Sequence, residues 1–299
     1  MTPPYLNIGD KVSVVAPAGK VDIQLLKEGI QVLQAWGFVV EERKNIFGIS
    51  GYFSGTDEER IADIQNAISN PEIKAIFCAR GGFGTTKIID SIDFSPLTKS
   101  PKWLIGFSDI TALHLRFQNL TIPSIHGPVL VQFGKEEYKS TVEHLLNYLT
   151  NKQQYSLTFT VSYTLPDIEL EGVITGGNLC LIADSLGTKD EIQTENKILF
   201  IEEVGEDIYR LDRMMTHLSR SGKLSSIKAL LVGNLTNIKD TTPPYSLSAK
   251  EVILKQVNQY DYPVFFDIPA GHEPPNYALI FGTPMRITHQ KKTISINEM

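Results

Sequence analysis

Short apolar runs at 11–16, 38–41, 73–78, 103–107 and 122–126 alternate with stretches of helical periodicity, and that alternation restricts the possible folds more than any other feature of the chain. Leu26, Ile30 and Leu33 share one face of a helix over 22–36 that Gly37 stops. Ile61, Ile64 and Ile68 share one face of a second helix, opened by the capping box Thr56-Asp-Glu-Glu59 and ended at Asn70-Pro71. Strands joined through helices of this length are connected by crossovers and run in the same direction. The expectation is an α/β fold with a mainly parallel sheet covered by helices on both faces. Ligands of such sheets collect at the C-terminal ends of the strands, so the residues that follow each apolar run carry the functional information.

After 73–78 comes Ala79-Arg-Gly-Gly-Phe-Gly-Thr-Thr-Lys87, a glycine-rich turn opening a short helix. It is not a nucleotide signature: Gly82-Phe-Gly84 lacks the third glycine of the dinucleotide fingerprint, and Lys87 is outside phosphate-loop spacing. Either it is a plain tight turn, or its N–H groups near Gly82 approach a substrate closely, as an oxyanion hole requires. After 103–107 comes Ser108-Asp109, followed by a helix with Ile110, Leu113 and Phe117 on one face. This is the strand-turn-helix placement of a nucleophile elbow, with Gly106 present but Ile110 where the usual motif has a second glycine. The competing reading of Ser108 is a helix N-cap.

A length of 299 residues favours two domains. Beyond a helix at 138–149 the pattern changes, and the polar stretch 151–170 reads as a connection between a first domain, 1–150, and a second, 171–299. The second domain holds Thr175-Gly-Gly-Asn178, a helix at 179–186, a strand at 197–204, a helix at 207–220, a strand at 227–232, a capping box from Ser248 to Glu251 and a closing hairpin over 285–296. Glu202 and Glu203 end the otherwise apolar strand, and successive strand residues face opposite sides, so one of the pair can point toward a cleft. His272 lies in the Gly- and Pro-rich loop 271–275, just past a strand. A serine attacking a carbonyl needs a base, and an imidazole base needs a carboxylate to fix its tautomer. Ser108, Glu202 or Glu203, and His272 supply one of each.

With 28 basic against 34 acidic residues, scattered along the chain, the protein is not expected to bind nucleic acid. No apolar run approaches the roughly 18 residues of a membrane span and the N-terminus lacks the pattern of a secretory signal, so a cytoplasmic location without membrane association is expected. Cys78 and Cys180 are far apart and without zinc or redox spacing; both read as small buried residues, and neither a metal nor a cofactor is expected.

Taken together, Gly9-Asp-Lys-Val-Ser-Val-Val-Ala-Pro-Ala18, Ala79-Arg-Gly-Gly-Phe-Gly84, Gly106-Phe-Ser-Asp109, Gly176-Gly-Asn178, Glu202-Glu-Val-Gly-Glu206 with Tyr209-Arg-Leu-Asp-Arg213, and Gly271-His272 resemble the LD-carboxypeptidases, serine peptidases that include murein tetrapeptide carboxypeptidases and microcin-immunity hydrolases. Phe83 stands where a tyrosine is common in that family. The resemblance implies a Rossmann-like N-terminal domain, a smaller C-terminal α/β domain, an active site between them, and a homodimer. It assigns the nucleophile to Ser108, the orienting acid to Glu202 and the base to His272, without a metal or cofactor. The oxyanion donors are then the N–H groups of Gly82 and Asp109, and Arg80 is a candidate for a substrate carboxylate. The implied reaction is release of terminal D-alanine from murein tetrapeptides in peptidoglycan recycling, the alternative being hydrolysis of a peptidyl or aminoacyl adenylate analogue.

Overall fold

The computed structural model describes residues 2–299. In chain order its first part comprises β1 (Lys11–Val15), α1 (Ile23–Ala35), β2 (Val39–Glu42), α2 (Asp57–Ser69), β3 (Ile73–Cys78), α3 (Thr85–Ile88), β4 (Trp103–Gly106), α4 (Thr111–Asn119), β5 (Ser124–His126) and α5 (Lys139–Leu149). Then follow β6 (Ser156–Thr160), β7 (Ile168–Asn178), α6 (Leu179–Ser185), β8 (Ile198–Val204), α7 (Ile208–Arg220), β9 (Ala229–Thr236), α8 (Ala249–Val257), β10 (Val264–Phe265), β11 (Leu279–Phe281), β12 (Pro284–Gln290) and β13 (Thr293–Glu298). The chain forms two compact units, one of residues up to Gln154 with Pro275–Gly282, the other of Tyr155–Pro274 with Thr283–Met299.

The sheet of the first unit has the order β11-β5-β4-β3-β1-β2. All its pairings are parallel except that of β11 with β5. Val12, Val14 and Val15 of β1 and Ala75, Ile76 and Phe77 of β3 are buried on both faces of the sheet, which is why these strands read as continuous apolar runs. Strand order reverses between β1 and β3, the topological switch point at whose C-terminal side such sheets bind their ligands. Asp22 caps α1 by accepting from the N–H groups of Gln24 and Leu25, and Thr56 and Glu59 form the expected capping box of α2.

The second unit has a mixed sheet, β10-β9-β8-β7-β12-β13-β6. Strands β7 to β10 pair in parallel, and Ile198 to Ile201 at its centre are wholly buried. The remaining pairings are antiparallel. In β12 and β13 buried residues alternate with exposed or half-buried ones, the pattern of a sheet with one wet face. Within 151–170, expected to be a connection, Ser156–Thr160 forms the edge strand β6 and β7 begins at Ile168. Segment 275–282 returns to the first unit, where Leu279 pairs with His126.

Candidate active site

Three loops of the first unit leave the C-terminal ends of β1, β3 and β4 and meet. The Gly19 N–H donates to the Gly81 carbonyl (3.3 Å), joining the first two. The third carries Ser108, whose φ is +64°, a left-handed conformation that a residue with a Cβ adopts only at a cost of about 1–3 kcal/mol. The neighbouring structure over-determines it. Ile105 and Gly106 pair with β5, the Gly127 N–H and His114 Nε2–H both donate to the Gly106 carbonyl (3.1 and 2.8 Å), and α4 starts three residues on. The helix-cap reading of Ser108 does not hold: neither the short 3-10 turn Ser108–Ile110 nor α4 has a side-chain cap. The strained turn instead exposes the serine above the sheet, the arrangement of a nucleophile elbow.

The glycine turn lies against this serine. A Cβ built on Gly81 would stand 3.0 Å from Ser108 Cβ and 3.2 Å from its Oγ, so only a glycine lets the two turns approach without a shift. Gly82 has φ +122° and faces the Tyr52 hydroxyl, which would be 2.9 Å from an added Cβ. Among the described residues no turn or loop hydrogen bond uses the N–H of Gly82 or of Asp109. The Asp109 side chain is buried; its Oδ2 accepts from the Thr85 N–H (2.9 Å) and Oγ1–H (2.6 Å). Burial raises its pKa above the ordinary carboxylate value, against the lowering by Thr85, Gly84 and Arg60. Arg80 is exposed, with Nη1 donating to the Lys20 carbonyl (2.7 Å).

In the second unit, strand alternation separates the two glutamates. Glu202, fully buried, accepts at Oε2 from His272 Nδ1 (2.7 Å). Its Oε1 is buried without a hydrogen-bond partner. The carboxylate can only accept, so the imidazole proton sits on Nδ1 and Nε2 is the nitrogen suited to take up another. Glu203 points the other way: it accepts from Asn178 Nδ2 (3.1 Å) and from the N–H groups of Val204 (2.8 Å) and Cys180 (2.7 Å). That fastens the start of α6 to the end of β8. Burial, its largest influence, pushes the Glu203 pKa up to about 7. Sequence spacing left Glu202 and Glu203 equivalent; the structure pairs Glu202 with the histidine.

Asn234 was not anticipated. The pairing of β8 with β9 shifts register between Ile201 and Glu203, a bulge that places Gly233 and Asn234 opposite Glu202. Asn234 Oδ1 accepts from the Glu273 N–H (3.2 Å) and the Asn234 N–H donates to the Ala270 carbonyl (3.0 Å), so one residue grips both ends of the loop carrying His272. An asparagine in an apolar strand was the available signal. Cys78 is buried as expected, whereas Cys180 is exposed: as the second residue of α6 it is placed by its N–H to Glu203, with its side chain on the outer face. Among the described residues no group of three or more His, Cys, Asp or Glu side chains is disposed to hold a metal ion, and no helix is long and apolar enough to cross a membrane.

Comparison with known proteins gives the chain's relatives. Residues 12–127 match the family model of the LD-carboxypeptidase N-terminal domain and residues 171–287 that of the C-terminal domain. A Bacillus subtilis protein named "Probable murein peptide carboxypeptidase" is 35% identical over 98% of this chain and 93% of its own. The crystal structure of a muramoyltetrapeptide carboxypeptidase from Oxalobacter formigenes superposes with a TM-score of 0.86 at 27% identity, covering 96% of this chain and 98% of that one. The structure of MccF in complex with glutamyl sulfamoyl guanosine gives a TM-score of 0.86 at 23% identity over 99% and 98% of the two chains, a likeness of fold alone.

Proposed function

Since the chain belongs to the LD-carboxypeptidase family, we propose that it is a serine-type carboxypeptidase that releases terminal D-alanine from murein tetrapeptides, within cytoplasmic peptidoglycan recycling. The observation that carries the reading is Ser108 itself: a left-handed serine on a strand-turn-helix, with Gly81 against its hydroxyl. Ser108 Oγ attacks the carbonyl joining the L-centre of a diamino acid to D-alanine. As the Oγ–C bond forms, its proton passes to His272 Nε2 and on to the departing amine as the C–N bond breaks; water then hydrolyses the ester by the same route in reverse. Glu202 fixes the Nδ1–H tautomer through its 2.7 Å bond and stabilises the imidazolium. The N–H groups of Gly82 and Asp109 hold the oxyanion. An enzyme that removes one terminal residue must also recognise a free carboxylate, and Arg80, tethered at Nη1 but otherwise exposed next to the glycine turn, supplies a planar cation for it.

The adenylate alternative calls for a surface on which a base can stack. Tyr52 and Phe83, each about half exposed beside the glycine turn, offer such a surface, so the two readings are separated by substrate and not by the presence of aromatic side chains. The test is mass-spectrometric detection of D-alanine release from an L-Lys- or meso-diaminopimelate-containing tetrapeptide. An all-L peptide, a C-terminal amide and an aminoacyl sulfamoyl nucleoside serve as comparators. Hydrolysis of the free-acid L,D bond alone is the expected result. Turnover of the nucleoside without the tetrapeptide would replace this reading by the alternative.

A further inference from the structure

The reaction described above uses only the backbone of Asp109, yet its side chain is 1% exposed and makes bonds that reach across to another turn. Its Oδ2 takes both donors of Thr85, a residue that is itself fully buried. Gly84 and Thr85 close the glycine turn and begin α3, a four-residue helix whose own N-cap, Gly84, has no side chain to satisfy it. The cap comes instead from the residue after Ser108. From the opposite side Arg60, 2% exposed, donates from Nη1 to the carbonyls of Gly84 (3.0 Å) and Pro17 (2.5 Å), with its guanidinium 4.8 Å from the centre of the Phe53 ring. The exit of the glycine turn is therefore clamped between a buried acid and a buried base. Gly81, at its entrance, rests on Ser108.

We propose that the Asp109 carboxylate is a positioning residue: by capping α3 through Thr85 it sets the distance between Ser108 Oγ and the N–H groups of the glycine turn. This inference rests on Ser108 being the nucleophile. The tether acts on the same two turns that must hold an oxyanion, so loosening it lowers the rate of the chemical step and leaves ground-state binding unchanged.

The test is a double-mutant cycle of Asp109→Ala and Thr85→Val, with Asp109→Asn as the conservative variant, since a carboxamide oxygen can still accept from Thr85. The expected result is that kcat for D-alanine release falls roughly 10- to 100-fold in each single variant, with KM within about threefold of wild type. Phosphonylation of Ser108 by a fluorophosphonate slows in parallel, the double variant is no slower than Asp109→Ala, and Asp109→Asn recovers most of the rate. A purely structural role would lower the urea midpoint and leave kcat of the folded fraction unchanged; that result, or fully additive losses, overturns the proposal. Should Asp109→Ala fail to fold, Thr85→Val and Asp109→Asn decide by the same criteria. An active Ser108→Ala protein would instead refute the nucleophile itself, whereas wild-type labelling at Ser108 with unaltered rates in the variants refutes only the tether.

Discussion

Replacing Gly81 by alanine separates catalysis from folding more cleanly than any change to a reacting group. Gly81 does not occupy the left-handed region, so a Cβ there meets no backbone penalty. Its removal of unfolded-state freedom even favours folding by about 0.4–1 kcal/mol. What the Cβ meets is Ser108, at 3.0 Å to Cβ and 3.2 Å to Oγ, with the Phe107 carbonyl at 3.4 Å. Ordinary carbon contacts lie near 3.5–4.0 Å, so the two turns must separate by roughly 0.5–1 Å, an overpacking cost of about 1–3 kcal/mol. The net loss of stability is then about 0–2.5 kcal/mol. A displacement of about 1 Å in reacting geometry lowers rates ~100-fold, so the same shift corresponds to a fall in kcat of ~10- to 100-fold. Steady-state D-alanine release gives kcat and KM, and urea denaturation gives the stability. Folded Gly81→Ala protein with kcat within twofold of wild type would refute the account of the glycine turn as the cradle of the reacting hydroxyl.

Two further outcomes follow from the buried titratable groups. Glu202→Gln keeps the shape of its side chain but not the charge, so kcat falls roughly 10³- to 10⁴-fold with the fold intact; measured kcat within tenfold of wild type would contradict the orienting role. His114 is buried between Gly106 and Ser124, and burial depresses its pKa from 6.5 to about 4. The unfolded chain takes up that proton near pH 6.5 and the folded one resists until about 4, so the stability it confers is complete above pH 6.5. It is lost as pH falls toward 4, on the order of 3 kcal/mol in all. Urea midpoints between pH 7.5 and 4.5 should therefore fall more steeply in wild type than in His114→Gln, and equal slopes would show that the site does not resist protonation.

The alternation of apolar runs and helical faces was enough to read the parallel sheets, because strands such as β1 and β8 are covered on both sides, so that Val12, Val14 and Val15 of the one and Ile198 to Ile201 of the other are buried and apolar. It failed where the sheet is half wet: Glu169 and Glu171 of β7 and the threonines of β6 face outward, so those strands read as polar connection. The return of β11 to the first unit was likewise invisible, since which sheet edge a three-residue strand joins depends on contacts remote in sequence. At the candidate site, the strand-end turns that carry Ser108 and Gly82 and the loop that carries His272 were legible as elements of the chain. The left-handed backbone of Ser108, the division of labour between Glu202 and Glu203, the bulge that aims Asn234 and the reach of Asp109 to Thr85 are consequences of register and packing, which no local pattern encodes.

Covalent chemistry at Ser108 is read most directly by intact-mass and peptide-mapping spectrometry of the protein treated with an active-site-directed fluorophosphonate, alongside tetrapeptide hydrolysis. One adduct per chain on the peptide containing Ser108, loss of hydrolysis in proportion to labelling, and neither adduct nor hydrolysis in Ser108→Ala are the predicted results. Near-normal D-alanine release by Ser108→Ala, or inactivation with the adduct on another residue, would contradict the account.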